Sequence, residues 1–193
     1  MVAEYDNHRI QVFDEKGGFI RAFGSSGGGD GQLSDPSAIV VDSQGNYFVA
    51  EGGNHRVSIF NSDGQFFRKF GSSGNGNGQL SNPHGIGLLS NGNVVVCENS
   101  NSRVSIFDSR GHFVRHICAG QLSVLHHLFV DSDDNILVAN ADTSTNQIRV
   151  FKADGTLVKN ISIAGHEGAL GVCMDLEGRI IATDTTNDRI LVI

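Results

Sequence analysis

Short apolar runs broken by polar, glycine-bearing segments recur along the whole chain. One set comprises SAIVVD at 37–42, HGIGLL at 84–89, HHLFVD at 126–131 and ALGVCM at 169–174. A second comprises NYFVA at 46–50, NVVVC, NILVA and RIIAT, and a third RVSIF at 56–60 and its copies. A fourth comprises FFRKF at 66–70, with FIRAF, FVRHI and LVKNI. Each run is rich in Val, Ile and Phe and is bounded by Gly, Asn, Asp or Ser, which predicts β-strands joined by tight turns. No helical period of comparable length competes. The first two sets are apolar at nearly every position, as in a sheet covered on both faces. The third and fourth mix in Arg, Ser and Lys, as strands nearer a rim do.

The runs recur in step. NHRIQVF at 7–13 returns as NHRVSIF at 54–60, NSRVSIF at 101–107, TNQIRVF at 145–151 and NDRILVI at 187–193. DSQGN at 42–46 is echoed by LSNGN, DSDDN and DLEGR, and FDEKGGF at 13–19 by FNSDGQF, FDSRGHF and FKADGTL. GSSGGGDGQLSDP at 24–36 is nearly repeated by GSSGNGNGQLSNP at 71–83. Four strands, a to d, in each period of roughly 40 to 50 residues make a propeller blade.

These motifs resemble the NHL repeat family: the NHR[VI]xxF peptide, the Gly-rich linker ending in QLxxP, and the close of strand b in VA followed by an acid. A WD repeat is set aside because the chain has no Trp. The resemblance implies an all-β propeller of four-stranded antiparallel blades, forming one domain over residues 1–193. The expected units are a partial blade at 1–23 and four blades at 36–70, 83–117, 125–161 and 168–193, read as an incomplete six-bladed ring. The chain is thus expected to be part of a larger NHL domain. Its open edges would favour self-association.

The repeated charges read as architecture. Arg9, Arg56, Arg103 and Arg189 share one slot, and Glu4, Glu51, Glu98 and Asp184 stand five residues earlier, so a pair across each b–c turn is expected to fix register. The (D/N)xxG turns are too short for a twelve-residue calcium loop. The Gly-rich linkers lead into strands, not the helix that phosphate-cradling loops require, and are expected to be long flexible connections. The strand-c phenylalanines Phe13, Phe60, Phe107 and Phe151 are expected in the core.

Charge and cysteines narrow the function. Net charge is −7, from 14 Lys+Arg against 21 Asp+Glu, which disfavours RNA as a partner. No run reaches the roughly 20 apolar residues that span a bilayer. Cys97, Cys118 and Cys173 lack metal-ligand spacing, and Cys97 and Cys173 lie in apolar runs. Buried free thiols in a reducing, cytoplasmic setting are expected.

In a four-stranded antiparallel blade, the d–a and b–c connections share one face and the short turns share the other. Recognition is expected on the first, where the loops vary. The candidate binding surface comprises Glu51, Asn54, His55, His84, Glu98, Asn99, His126, Asn140, Asp142 and Asp184. His84 and His126, with His127 beside it, open strand a where Ser37 and Leu170 stand in other copies. They could converge in the central channel, where two imidazoles are a partial metal site. The family resemblance implies a protein-binding propeller like the C-terminal region of tripartite-motif (TRIM-NHL) ubiquitin ligases, selecting substrate for a RING domain elsewhere. The chain itself is expected to be no enzyme, with neither cofactor nor metal. RNA binding is one alternative. The other is a metal-dependent lyase resembling peptidylglycine amidating lyase, whose Tyr would have to come from Tyr5 or Tyr47.

Overall fold

A computed structural model describes residues 1–120, 122–123, 125–140, 147–163, 169–184 and 187–193, apart from the side chains of 169 and 170. The described residues form eighteen strands in five antiparallel sheets. Sheet 1 holds β1 (Val2–Glu4), β2 (Arg9–Phe13) and β3 (Phe19–Phe23). Sheet 2 holds β4 (Pro36–Val41), β5 (Tyr47–Glu51), β6 (Arg56–Phe60) and β7 (Phe66–Phe70). Sheet 3 holds β8 (Pro83–Leu88), β9 (Val94–Glu98), β10 (Arg103–Phe107) and β11 (Phe113–Ile117). Sheet 4 holds β12 (Leu125–Val130), β13 (Ile136–Asn140), β14 (Gln147–Phe151) and β15 (Leu157–Ser162). Sheet 5 holds β16 (Ala169–Met174), β17 (Ile180–Asp184) and β18 (Arg189–Val192). The count is therefore five blades, the first and last three-stranded, rather than four with a partial one or the six of a closed ring. Val2–Glu4, too short to read as more than a stub, pairs with Arg9–Gln11 and makes sheet 1 equal to sheet 5.

The sheets stack in chain order along their inner strands, β1 on β4, β4 on β8, β8 on β12 and β12 on β16. Alternation along each strand sends one set of side chains forward and the other back. Forward residues Ile10 and Val12 of sheet 1 meet backward residues Tyr47, Val49 and Phe60 of sheet 2. The same interlock joins Val57 and Ile59 to Val94, Val96 and Phe107, and Val104 and Ile106 to Ile136, Val138 and Phe151. Phe60, Phe107 and Phe151 are fully buried wedges, each facing the preceding blade, and burying such a ring is worth about 1.5–3 kcal/mol. Phe23 stacks on Phe60 and Phe70 on Phe107, with ring centroids 4.8 and 4.7 Å apart. On sheet 5 the forward positions Cys173, Ile190 and Val192 are exposed. The expectation of a buried Cys173 fails because no following blade packs on that face among the described residues.

Six of the turns follow one rule. Asp42 Oδ1 accepts from the N–H groups of Gln44 and Asn46, and Asp14, Asn61, Asp108, Asp131 and Asp175 repeat the pattern. These side chains close their own turns. Gly85 and Gly87 of β8 serve closeness: a Cβ on Gly85 would lie 2.8 Å from the Leu128 nitrogen, and one on Gly87 would lie 2.6 Å from Val130 Cγ2. Glycine lets β8 approach β12 at the axis.

Candidate recognition face

The d–a linkers and b–c loops do share one face, and the NHR peptide joins them. Glu51 ends β5 fully buried. Its carboxylate accepts from Arg56 Nε at 2.7 Å, Asn54 Nδ2 at 2.6 Å, the Ser34 N–H at 3.0 Å and the Ser58 hydroxyl. Arg56 spends its remaining donors on the carbonyls of Gly28, Gly29 and Gln32, and Asn54 bonds Gly27 O. His55, held at φ 52°, accepts the Asn82 N–H on Nδ1 at 3.0 Å. Asn and Arg thus grip the linker before the blade, while His grips the linker after it. Blade 3 repeats the grip through Glu98, Asn101, Arg103 and the carbonyls of Gly74, Asn75, Gly76 and Gln79. His8 does the same for Asp35 at 3.2 Å.

Several expectations change. The Gly-rich linkers are clamped, not loose connections, because their carbonyls are the acceptors that a buried guanidinium needs. Glu51 and Glu98 cannot form a recognition surface, since both are fully buried and bonded internally. Asn140 and Asp184 are buried as well, Asn140 bonding the Ser123 N–H and Asp184 bonding Asn187 and Arg189. Asn54 and His55 are half-buried and committed to the linkers. Asp142 lies outside the described residues. The arginines pair with their acids in four blades: Arg9–Glu4, Arg56–Glu51, Arg103–Glu98 and Arg189–Asp184. The motif alone gives Asn and His no gripping role. Its signal was the constant 27-residue interval between Asn54 and Gly27, Asn101 and Gly74, or His55 and Asn82.

What remains for a partner is His84, Asn99 and His126, each half-buried. The histidines stand at irregularities that recur where strand a begins: register shifts between Pro36 and Ala38, between Pro83 and Gly85, and between Leu125 and Leu128. Bulges re-aim side chains out of a ladder. Here they free Ser37, His84, His126 and His127 from the regular alternation. Ser37 turns to the next blade and donates to Pro83 O at 2.8 Å. His84 and His126 meet edge to face, with centroids 5.4 Å apart. Burial holds both imidazoles below the usual histidine range, and for His84 the neighbouring His126 adds to the effect. Neutral rings can accept as well as donate hydrogen bonds. His127 is also pushed down by burial, and its Nδ1 has no partner. It lines, with Val40, Gly87 and Phe129, an axial groove of about 340 Å³. No group of three or more His, Cys, Asp or Glu that could hold a metal occurs among the described residues. The Cys97 thiol accepts the Gly85 N–H at 3.1 Å, and burial pushes it up to about 12, out of reach of thiolate chemistry at neutral pH.

The model of the NHL repeat matches residues 33–60 and 80–107, each running from a clamped linker leucine to the wedge phenylalanine. The chain carries NHL repeats. No curated protein sequence matches it significantly. Among solved structures this NHL-repeat propeller is similar to a streptogramin B lyase, at 14% identity and a TM-score of 0.73, covering 99% of this chain and 60% of that one. It is similar to virginiamycin B lyase from Staphylococcus aureus, at 13% identity and a TM-score of 0.71, covering 98% and 64%. It is also similar to the WD40 β-propeller domain of Doa1, at 16% identity and a TM-score of 0.73, covering 97% and 57%. The chain spans under two thirds of the length of each of these proteins. The likenesses show the propeller fold alone, which WD40 and NHL blades share without a common motif.

Proposed function

We propose that this chain is a non-catalytic protein-interaction module, which selects a partner at the channel mouth of the linker face. In its finer form it is the substrate-recognition region of a TRIM-NHL type ubiquitin ligase working in the cytoplasm. One observation carries the reading: the repeated charges of this face are consumed by the linkers. The blade-specific side chains His84, Asn99 and His126 are left at the surface of a rigid scaffold. Non-repeated polar groups on a fixed frame suit recognition of one particular peptide surface. The free thiols fit a reducing compartment, and no helix among the described residues is long and apolar enough to cross a membrane. Affinity capture with the wild-type chain and with the His84→Ala/His126→Ala variant tests the reading. A protein partner lost from the variant is expected. A partner retained unchanged, or RNA recovered at physiological salt, would overturn it.

The histidine pair favours a second reading, a metal-dependent lyase, which metal analysis of the purified chain checks directly. The apolar side chains Ile190 and Val192 on sheet 5 and Val2 and Phe19 on sheet 1, all about half-exposed or more, favour self-association as a further property. Sizing at two concentrations measures it.

A further inference from the structure

The short-turn face, opposite the recognition face, repeats a charge as well as a shape. In each of the first three blades an arginine of strand d, Arg21, Arg68 or Arg115, reaches the c–d turn of the following blade. Arg21 donates to Ser62 O at 2.6 Å and pairs with Asp63 at 3.6 Å. Arg115 lines one cleft with Asp154. Asp63 and Asp154 hold the same place in the turns NSDG and KADG. Between blades 2 and 3 that place belongs to Arg110, in DSRG. Arg68 therefore reaches a turn that carries a second arginine, where its counterparts reach turns that carry a carboxylate. Its terminal nitrogens bond the carbonyls of Ser109 and Arg110, while its Nε is buried with no partner.

This same interface opens a cleft of about 570 Å³, a volume that suits a small ligand. Its walls are half apolar: Phe67 and Val41, both exposed, with Leu88. Asp42 also lines it, but that carboxylate accepts from two backbone N–H groups and from Asn46 Nδ2 of its own turn. Ser90 is taken by Asp134 of the next blade. Two arginines with no ion pair within 4.0 Å among the described residues, lining a cleft beside an apolar shelf in a chain of net charge −7, call for an anion that brings an apolar group. Guanidinium favours carboxylate because a planar fork meets two oxygens at once.

We propose that the cleft between blades 2 and 3 binds a carboxylate attached to an apolar group, with Arg68 and Arg110 on the oxygens and Phe67 and Val41 under the apolar part. The carboxylate belongs either to an acidic side chain of a peptide or to a small free acid. The site is independent of the channel mouth and does not rest on the function proposed above.

The test is a nuclear magnetic resonance titration of the full 15N-labelled chain with two carboxylate probes, 3-phenylpropanoate and N-acetyl-Phe-Asp-Phe-amide. Their neutral counterparts, 3-phenylpropanamide and the Asn peptide, serve as controls. Saturable shifts at the Arg68 Nε–H and at the amides of Ser90 and Gly92 are expected with a carboxylate and not with its amide. Response to one probe alone supports the site and names the source. Arg110→Asp restores the turn that blades 2 and 4 already carry, so its fold is expected to be retained. It should weaken binding roughly tenfold or more by removing a charge-assisted contact. Arg110→Gln, expected to weaken it less, is the second variant. No saturable shift with either carboxylate, equal response to the neutral probes, or unchanged affinity in both variants would overturn the proposal.

Discussion

Blades 3 and 4 solve one problem with different chemistry. In blade 3 the acceptor at the end of strand b is Glu98, which takes the Ser81 N–H of the linker at 3.0 Å and is balanced by Arg103 at 2.8 Å. In blade 4 the acceptor is Asn140, which takes the Ser123 N–H at 2.9 Å, and the arginine slot holds Gln147. The retained feature is the oxygen that receives the linker N–H. The charge can be dropped if both partners change together. This is the asymmetry of buried ion pairs: removing one member is costly, whereas replacing both can be nearly neutral.

The largest effect expected follows at once. Glu51→Ala leaves a buried guanidinium without its counter-ion, strips the Ser34 N–H of its acceptor and takes one of two acceptors from Asn54 Nδ2. A loss of about 3–5 kcal/mol, read by urea unfolding, is expected. A loss below 1 kcal/mol would mean that the latch is ornamental and the comparison empty. Importing the neutral pair into blade 3, as Glu98→Asn with Arg103→Gln, should cost about 1–3 kcal/mol, well under the sum of the two single changes. An additive double variant would break the comparison. Smaller again is Asn140→Ala, which removes one neutral acceptor from a buried N–H, with about 1–2 kcal/mol expected.

The same contrast explains how much was legible beforehand. Strands c and d are legible nearly to the residue, as RVSIF and FFRKF, because apolar runs of fixed length recur between glycine-bearing turns. The Glu–Arg pairing was legible for the same reason. Burial was not. Glu51 and Glu98 looked like surface acids because their loops vary, and nothing in a linear pattern says that a Gly-rich linker folds back over them. The linker itself was misjudged because glycine content reports backbone freedom, while the ordering comes from Arg56 some 27 residues on. The alignment with Ser37 puts both histidines at the start of strand a. Their closeness depends on register shifts that no periodicity records. In the linear pattern Arg68 is one cation of a rim strand and Arg110 a residue of a short turn. Only the spatial match of Arg21 with Asp63 shows that Arg110 inverts a repeated charge.

A last measurement carries the comparison of blades 3 and 4 to the channel. Blade 3 has Gly85 where blade 4 has His127, so the blade 4 slot holds a half-buried imidazole whose Nδ1 has no partner. Burial pushes this ring below its ordinary value, so the folded state takes up a proton less readily than the unfolded one. Above about pH 6.5 both states hold neutral histidine and its contribution to stability is complete. As pH falls from there through the depressed folded value, the unfolded state protonates first and stability declines. His84 and His126, depressed for the same reason, act in the same direction. Melting temperature followed from pH 7.5 to 5 should fall, and His127→Asn should flatten that fall more than a control change at exposed His112. If the two variants flatten it equally, the slope arises from surface charge, and burial of the His127 ring does not set it.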